Sequence, residues 1–398
     1  MSTDEERPAP QAVPMLPSDS LFTKAFVMLG LADLAYFTAV GVAVYALPLY
    51  ATGPLGSGKA GAGLAFGAFA VSALVLRPFV GRLSDTIGRL PLIIGGALLA
   101  AVALALTASV DSLAMVIALR LLAGVAEASF FVATFAALAD LAPPSRMGEA
   151  LSYNSLGLYL GLAFGPPLGE LLVETWSFDT AWYGAAGLAT LAAVVALGVG
   201  ETLDRTEPHE PEGLLHRKAI PASLGFFASL LAVGGFMSMA SLHAHDVGLA
   251  NTSLPLFVYG VVVVFCRVAF AKVPDRLSPL PLGAAALAAI GTGLLIMALW
   301  TQPEGMLLGV VLAAIGVSFS TPAFFSAIFA TARPSEHGSA AGTASLFIDL
   351  GLGFGPIMLG YVADSSTIPA ALGVGAGCAA VGLVWTLYLE RRSPVERD

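Results

Sequence analysis

The chain has 398 residues, of which 57% belong to the set AVILMFWYC and only 11% are charged. Soluble domains carry about 25% charged residues, so an ordinary water-soluble globule is excluded, and the formal net charge of −9 excludes a nucleic-acid binder with a basic face. Because about 20 apolar residues span a bilayer as a helix, the chain has room for about twelve spans, and membrane transport is the function class that the composition favours.

Residues 1–20 are polar and rich in proline, and we expect them to form a disordered cytoplasmic tail without a signal peptide. The apolar runs that follow lack the alternation of a membrane barrel, so they predict membrane-spanning helices. The predicted spans one to twelve are 22–50, 60–81, 91–110, 113–140, 148–172, 180–200, 219–245, 252–273, 280–300, 305–331, 338–362 and 368–390.

The longest polar segment inside the chain divides the spans into two groups of six. This segment, 201–218, reads ETLDRTEPHEPEGLLHRK and predicts a cytoplasmic linker. It separates an N-terminal six-helix bundle, 21–200, from a C-terminal six-helix bundle, 219–390. We expect residues 391–398 to form a second cytoplasmic tail.

The Lys and Arg residues predict the orientation of the spans. If the N-terminus is cytoplasmic, all of the 18 basic residues except Lys59 and Arg120 fall in cytoplasmic segments or at cytoplasmic helix ends. The positive-inside rule therefore predicts a multi-pass protein of the inner membrane with both termini in the cytoplasm.

The two halves share a sequence repeat. At an offset of 190 residues, Arg77–Asp85 falls on Arg267–Asp275, with arginine first and aspartate last in both segments. The same offset places Phe164-Gly165-Pro166 on Phe354-Gly355-Pro356. Arginine, aspartate and proline do not keep one register easily by chance, so we expect a parallel duplication of six spans.

The segment between spans two and three carries a motif. It reads GRLSDTIGR and includes Gly81, Arg82, Asp85, Gly88 and Arg89. The glycines allow a tight turn and close helix approach, and Asp85 can accept bonds from a helix N-terminus or a nearby arginine, as a breakable latch. A plain basic loop would explain the arginines but not Asp85 between two placed glycines.

This motif resembles the G-x-L-x-D-x-x-G-R signature of the major facilitator superfamily, and the resemblance covers 22–390. It implies an all-α membrane protein with twelve transmembrane helices in two pseudo-symmetric six-helix bundles around a central cavity. The second copy keeps Asp275 but has other residues where the glycines and the second arginine stand, so we expect a weaker latch there.

Span five carries glycines four apart, at Gly157, Gly161, Gly165 and Gly169, and Pro166 follows the third of them. The pattern is similar to the span-five signature of antiporters in the same superfamily, from which Glu170 departs because a second glycine often stands there. Small residues let a neighbouring helix approach closely, and proline can bend the helix. The alternative is ordinary small-residue packing in a glycine-rich bundle.

Several ionisable residues are predicted at membrane depth. Arg120 and Glu127 are seven residues apart on span four and share a face, in an element similar to the superfamily's R-x-x-x-G. Asp33, with Tyr36 on its face, and Asp349 each lie about eleven residues into their spans, near mid-bilayer. We expect these residues to serve in proton coupling or substrate binding, and static ion pairing is the alternative.

Two polar groups near span ends are less informative. Tyr153 and Asn154 open span five and are expected to line the inner half of the cavity. His243, His245 and Asp246 end span seven, where we expect solvated side chains rather than a metal site.

The sequence therefore predicts a secondary transporter that works by alternating access. Resemblance to the drug and sugar efflux branch of the superfamily implies proton-coupled efflux, or antiport, of a small, partly apolar molecule. We expect a monomer without enzyme activity, metal or cofactor, and no nucleic-acid partner; its partners are the lipid bilayer, its substrate and protons, with the proton gradient as energy source. The alternatives are uptake of a sugar or organic acid by symport or uniport, with Arg120 as an anion anchor, and a non-transporting sensor or assembly protein.

Overall fold

The computed structural model describes residues 21–143, 146–203, 216–333 and 337–392, and within these ranges the chain forms helices and no β-strand. The helices are α1 Lys24–Thr52, α2 Lys59–Ile87, α3 Arg89–Thr107, α4 Leu113–Leu141, α5 Met147–Thr175, α6 Phe178–Ala196, α7 Ile220–Asp246, α8 Leu254–Ala269, α9 Val273–Arg276, α10 Pro279–Leu299, α11 Pro303–Phe329, α12 His337–Ser365 and α13 Ile368–Arg392. The first predicted tail, most of the linker and residues 393–398 lie outside the described residues. Of the described helices, 11 are long and apolar enough to cross a membrane, and α8 is shorter.

The helices form two six-helix bundles with the same internal packing. In the first half, α1 packs on α5 and α6, and α4 packs on α2 and α3. In the second half, α7 packs on α12 and α13, and α11 packs on α8 and α10. Each pair has its counterpart in the other half, so the sequence duplication is also a structural one.

The small residues of α5 line its contact with α1. A Cβ atom at Gly161 would lie 2.7 Å from the α1 backbone, and one at Gly165 would lie 2.5 Å from it. At Gly157 and Gly169 the nearest α1 atoms would be 2.9 Å and 3.2 Å away. Only glycine permits this approach, because a side chain would push the two helices apart.

Most helices differ from the predicted spans by a few residues at their ends, and the differences at α2 and α8 have a clear local cause. α2 continues through Gly81 to Ile87, because 82–87 contains neither glycine nor proline, and a Cβ at Gly81 would meet nothing within 4 Å. The tight turn expected at Gly81 is therefore not present there; the chain turns at Gly88, where φ is 110°. α8 stops at Ala269, before the predicted end at 273, since Pro274 cannot donate a helical hydrogen bond.

The two halves touch along two seams that the duplication relates, α2 against α12 and α5 against α8. On the first seam, a Cβ at Gly360 would lie 2.8 Å from the Lys59 carbonyl oxygen, and on the second a Cβ at Gly260 would lie 2.5 Å from Ala163. The bundle end that holds Lys59 is named the far end, and the end that holds the Gly81–Arg89 motif is named the motif end. The Gly360 contact therefore lies at the far end, whereas Ala163 lies near the middle of α5.

We expect Gly165→Ala to lower the thermal unfolding midpoint of the detergent-solubilised protein. The added methyl group would overpack the α1 contact, which costs about 1–3 kcal/mol in a tightly packed site. The matched control is Gly187→Ala on α6, where a Cβ meets nothing within 4 Å and alanine favours the helix. Equal midpoints for the two variants would contradict the packing argument.

Candidate functional site

An arginine of α2 joins the two halves near the middle of the bundle. Arg77 Nη2 lies 3.1 Å from Glu127 Oε1 on α4, and Arg77 Nε lies 2.6 Å from Asp349 Oδ2 on α12. Arg77 Nη2 also donates to Asp349 Oδ1 at 3.0 Å. We name these three residues the Arg77 cluster. Its side chains are 13%, 15% and 2% exposed in the order Arg77, Glu127 and Asp349, so the cluster is largely removed from solvent.

The charges of the Arg77 cluster do not balance. One guanidinium faces two carboxylates, so the cluster carries a net charge of −1 when both are ionised, and one proton makes it neutral. The Arg77 guanidinium also lies 4.8 Å from the ring centroid of Phe131, which covers it on one side. A buried site with one spare carboxylate is suited to exchange a proton.

Arg120 and Glu127 share a face of α4, and this face is turned toward α2. Arg120 Nε donates to the carbonyl oxygen of Ala65 at 3.3 Å, and its Cζ lies 5.0 Å from the ring centroid of Phe69, both on α2. Glu127 pairs with Arg77 instead of Arg120. Arg120 and Glu127 therefore make two separate contacts to α2.

Tyr36 lies on α1 beside these charges. Its ring stacks on Phe130 with centroids 3.9 Å apart and planes at 8°. Its hydroxyl interacts electrostatically with Glu127, Arg120 and Arg77. The structure thus brings the predicted residue of span one close to both charged residues of span four.

Asp33 lies apart from the Arg77 cluster, between α1 and α5 of the first half. Asn154 Nδ2 donates to Asp33 Oδ2 at 2.6 Å, and Asp33 Oδ1 is buried without a hydrogen-bond partner. Both residues are buried, but the adjacent Tyr153 is exposed and packs edge-on against Phe22 at 5.1 Å. Tyr153 and Asn154 therefore do not line one surface, because neighbouring residues on a helix point about 100° apart.

The motif residues form a polar cluster within the first half. Arg89 Nη1 donates to Asp85 Oδ1 at 2.6 Å and to Ser84 Oγ at 3.1 Å, and Arg89 Nε donates to Asp140 Oδ2 at 3.1 Å. Arg82 is exposed. In the second copy, Asp275 lies in α9, and its side chain is outside the described structure. In this state Asp85 is held by an arginine of its own motif.

Glu201, which the sequence analysis did not single out, caps α3 from the segment after α6. Its carboxylate fills the space that a Cβ at Gly88 would need, so Gly88 is required both for its positive φ and for this contact. Burial raises the pKa of Glu201, but hydrogen bonds from backbone N–H groups outweigh it and lower the pKa below the usual 4.5; the donors are Leu203, Arg89, Leu90 and Thr202. Glu201 thus joins the start of α3 to the end of the first half.

The expectation that His243 is solvated is wrong. His243 is buried, because α7 continues to Asp246 and places this residue on the packed side of its last turn. His245 is exposed and lies 3.9 Å from Asp246. Among the described residues, no group of three or more His, Cys, Asp or Glu side chains could hold a metal ion.

The comparison with protein families decides the identity of this fold. The family described as Major Facilitator Superfamily matches residues 29–347 and 222–398 of the chain. The chain belongs to the major facilitator superfamily. As a member, it is a secondary transporter embedded in a membrane that moves a small-molecule substrate, and the superfamily is one of transporters rather than enzymes.

Relatives and solved structures agree with this assignment. An uncharacterized MFS-type transporter of Salmonella typhimurium is 26% identical over 373 residues, which cover 88% of this chain and 92% of the relative. The structure of the human organic anion transporter MFSD10 is similar with a TM-score of 0.71 at 18% identity, over 93% of this chain and 100% of the other. The peptide transporter POT in complex with sulfate has a TM-score of 0.80 at 14% identity, over 95% of this chain and 96% of the other.

A second contact joins the two halves at the positions that the duplication relates to Arg77 and Asp349. The sequence analysis did not single it out. Arg267 Nη2 donates to the Tyr159 hydroxyl at 2.9 Å, and Arg267 Cζ lies 4.4 Å from the Tyr159 ring centroid. At the offset of 190 residues, Arg267 falls on Arg77 and Tyr159 falls on Asp349. The two copies have therefore diverged, since one seam has an ion pair where the other has an arginine on a neutral ring.

We expect Glu201→Gln to lower the thermal unfolding midpoint at neutral pH. The folded state holds the Glu201 pKa below its ordinary value, so the ionised carboxylate contributes stability above pH 4.5, and this contribution is lost as pH falls through the folded-state pKa. The difference from the parent protein should therefore shrink in acid. Asp111→Asn, which changes an exposed loop carboxylate, should leave the midpoint unchanged at both pH values, and a pH-independent effect of Glu201→Gln would argue against the cap.

Proposed function

We propose that the protein is a proton-coupled exporter in which the Arg77 cluster links proton binding to the relative movement of the two halves. The observation that carries this proposal is the ion pair between Arg77 and Asp349, which crosses from one half to the other beside a second carboxylate.

Asp349 is the member of the Arg77 cluster that belongs to the second half. Rocking that separates α2 from α12 at this depth removes Asp349 from Arg77, while Arg77 keeps Glu127, which lies in its own half. An ionised carboxylate left without a partner in a low-dielectric interior is unfavourable by several kcal/mol. Proton uptake by Asp349 removes this penalty, so protonation favours the separated state and re-pairing releases the proton.

Asp33 is proposed as a second proton-binding carboxyl. Within the described structure its hydrogen-bond partner is the neutral amide of Asn154, and its other oxygen has none. One neutral donor offsets little of the unfavourable burial of an ionised carboxylate. We therefore propose that Asp33 binds a proton when protons reach it.

The packing of α5 supports export rather than uptake. The glycines that resemble the antiporter signature are those that hold α5 against α1 without a gap. This agrees with the proposed place in the drug and sugar efflux branch and with a small, partly apolar substrate. Uptake of a sugar or organic acid remains the rival, and Arg120 would then bind the anionic group.

We also propose the orientation and location. The distribution of Lys and Arg places the motif end and both termini in the cytoplasm, and the bacterial relatives point to the inner membrane. Under this orientation the far end faces outward. We propose that the protein acts as a monomer.

The coupling can be tested without knowing the orientation in proteoliposomes. A pH gradient is imposed, with the membrane potential clamped, and ethidium serves as the partly apolar probe. An antiporter concentrates the probe in the acidic compartment, which is the expected result. Concentration of p-aminohippurate or lactose in the alkaline compartment would instead establish symport, movement that ignores the gradient would establish uniport, and absence of flux for every probe would reject transport of these classes.

We expect Asp349→Asn and Glu127→Gln to have different effects. Asp349→Asn leaves a balanced Arg77–Glu127 pair, so downhill ethidium flux continues. The accumulation ratio in a pH gradient falls to about 1, because the Arg77 cluster then has no spare carboxylate to link proton binding to the movement of the halves. Glu127→Gln leaves Arg77 unpaired whenever the halves separate, so both downhill and uphill flux should fall about tenfold or more. Asp111→Asn is the control, and equal accumulation by the parent and Asp349→Asn would reject the role of the cluster.

We expect Asp33→Asn to abolish ethidium-dependent proton movement. The amide keeps the size of the side chain and its contact with Asn154 but cannot exchange a proton at this site. Lumenal pyranine fluorescence reports the protons, and ethidium fluorescence reports the probe in the same vesicles. Unaltered proton movement in Asp33→Asn would remove Asp33 from the mechanism and leave the Arg77 cluster as its carrier.

A further inference from the structure

Glu170, the residue that departs from the antiporter signature, connects the two halves at the far end. It lies on α5, is buried, and accepts hydrogen bonds from the turn that leads into α8. The donors are Ser253 Oγ at 2.6 Å, Thr252 Oγ1 at 3.0 Å and the backbone N–H groups of Thr252 and Ser253. Tyr45 adds a long contact of 3.5 Å to the same carboxylate and bonds Thr252 Oγ1 at 2.9 Å.

The start of α8 depends on this carboxylate. The first residues of any helix have N–H groups without intrahelical partners. α8 has no side-chain cap of its own, and Pro255 in its first turn has no N–H. A carboxylate satisfies such donors strongly and is favoured by the helix dipole. Glu170 accepts the N–H of Ser253, the N-cap residue of α8, and so caps this helix from the other half.

The second seam has the reciprocal arrangement. Asp364 near the end of α12 accepts the backbone N–H of Lys59, the first residue of α2, at 2.8 Å. The N-cap of α2 is Gly58, which makes no side-chain cap; a Cβ at Gly58 would overlap the Asp364 carboxylate. Thus α5 of the first half caps α8 of the second half, and α12 of the second half caps α2 of the first half.

We propose that Glu170 and Asp364 are a pair of crossed helix caps that hold the far end shut, and that the transport cycle must release them to open that end. Separating the halves exposes two helix N-termini at once, and the caps therefore bias the protein toward the state closed at the far end. Glu170 contributes more, because it accepts from four donors of the other half and Asp364 accepts from one. The inference rests on alternating access and is independent of proton coupling.

Distances between spin labels on the full-length protein in lipid nanodiscs test the proposal. Cys266 and Cys378 are first replaced by serine. One label pair, at Asp111→Cys and Thr301→Cys, reports the far end, and a second pair, at Thr86→Cys and Ser278→Cys, reports the motif end; all four positions are exposed. No substrate or pH gradient is needed, so the result does not depend on the proposed coupling.

We expect Glu170→Gln to raise the ratio of far-end-open to far-end-closed molecules about tenfold, because charge-assisted hydrogen bonds are about twice as strong as neutral ones. The motif-end distances should shorten in the same sample, a reciprocal change that mere loss of stability would not produce. Asp364→Asn should act in the same direction about two- to threefold, and Glu170→Asp, which keeps the charge, should restore part of the closed population.

The matched control is Glu174→Gln, one helical turn further along α5, which removes an exposed charge at the same end. It should leave both distance distributions unchanged. If Glu170→Gln does not fold, Thr252→Val with Ser253→Ala removes the two hydroxyl donors and should shift the populations in the same direction. The proposal is overturned if these cap variants keep the parent distributions, or if Glu174→Gln opens the far end as much as Glu170→Gln does.

Discussion

The structure depends on the requirement that charges inside a membrane protein find partners. Moving an isolated ion from water into the protein interior is unfavourable by several kcal/mol, so Arg77 must be paired wherever it lies. Its guanidinium is shared between Glu127 in its own half and Asp349 in the other. The ion pairs that stabilise Arg77 inside the protein therefore also make the contact between the two halves depend on the charge of Asp349.

The duplication repeats the packing but not the chemistry. The helix pairs of one half recur in the other, because each bundle must bury the same small-residue faces. The polar residues on the two seams are freer to change, and Arg267 meets the ring of Tyr159 where Arg77 meets the carboxylate of Asp349. At the level of these two arginines, the α2–α12 seam therefore holds carboxylates and the α5–α8 seam holds a tyrosine ring.

The fold could be predicted from the sequence because composition and length leave few alternatives to a helical membrane bundle, and the repeat register revealed the two halves. The depths of Asp33, Glu127 and Asp349 followed from counting residues along a helix. Their partners did not, because pairing depends on how neighbouring helices are rotated. Arg120 and Glu127 share a face, but α2 presents Ala65 to one and Arg77 to the other. Glu170 stood out in the sequence as a departure from a motif, and its role as a cap needs the tertiary position of α8.

The polar contacts at the two ends of the bundle differ in the half that they serve. At the motif end, Asp85 is bound by Arg89, which also bonds Asp140, so the described polar network holds α2, α3 and α4 of one half together. At the far end, Glu170 and Asp364 accept hydrogen bonds from donors of the other half. A carboxylate that serves its own half does not resist separation, whereas one that caps a helix of the other half does. Among the described contacts, Glu170 and Asp364 therefore hold the two halves together at the far end, whereas the Arg89 network does not join the halves at the motif end.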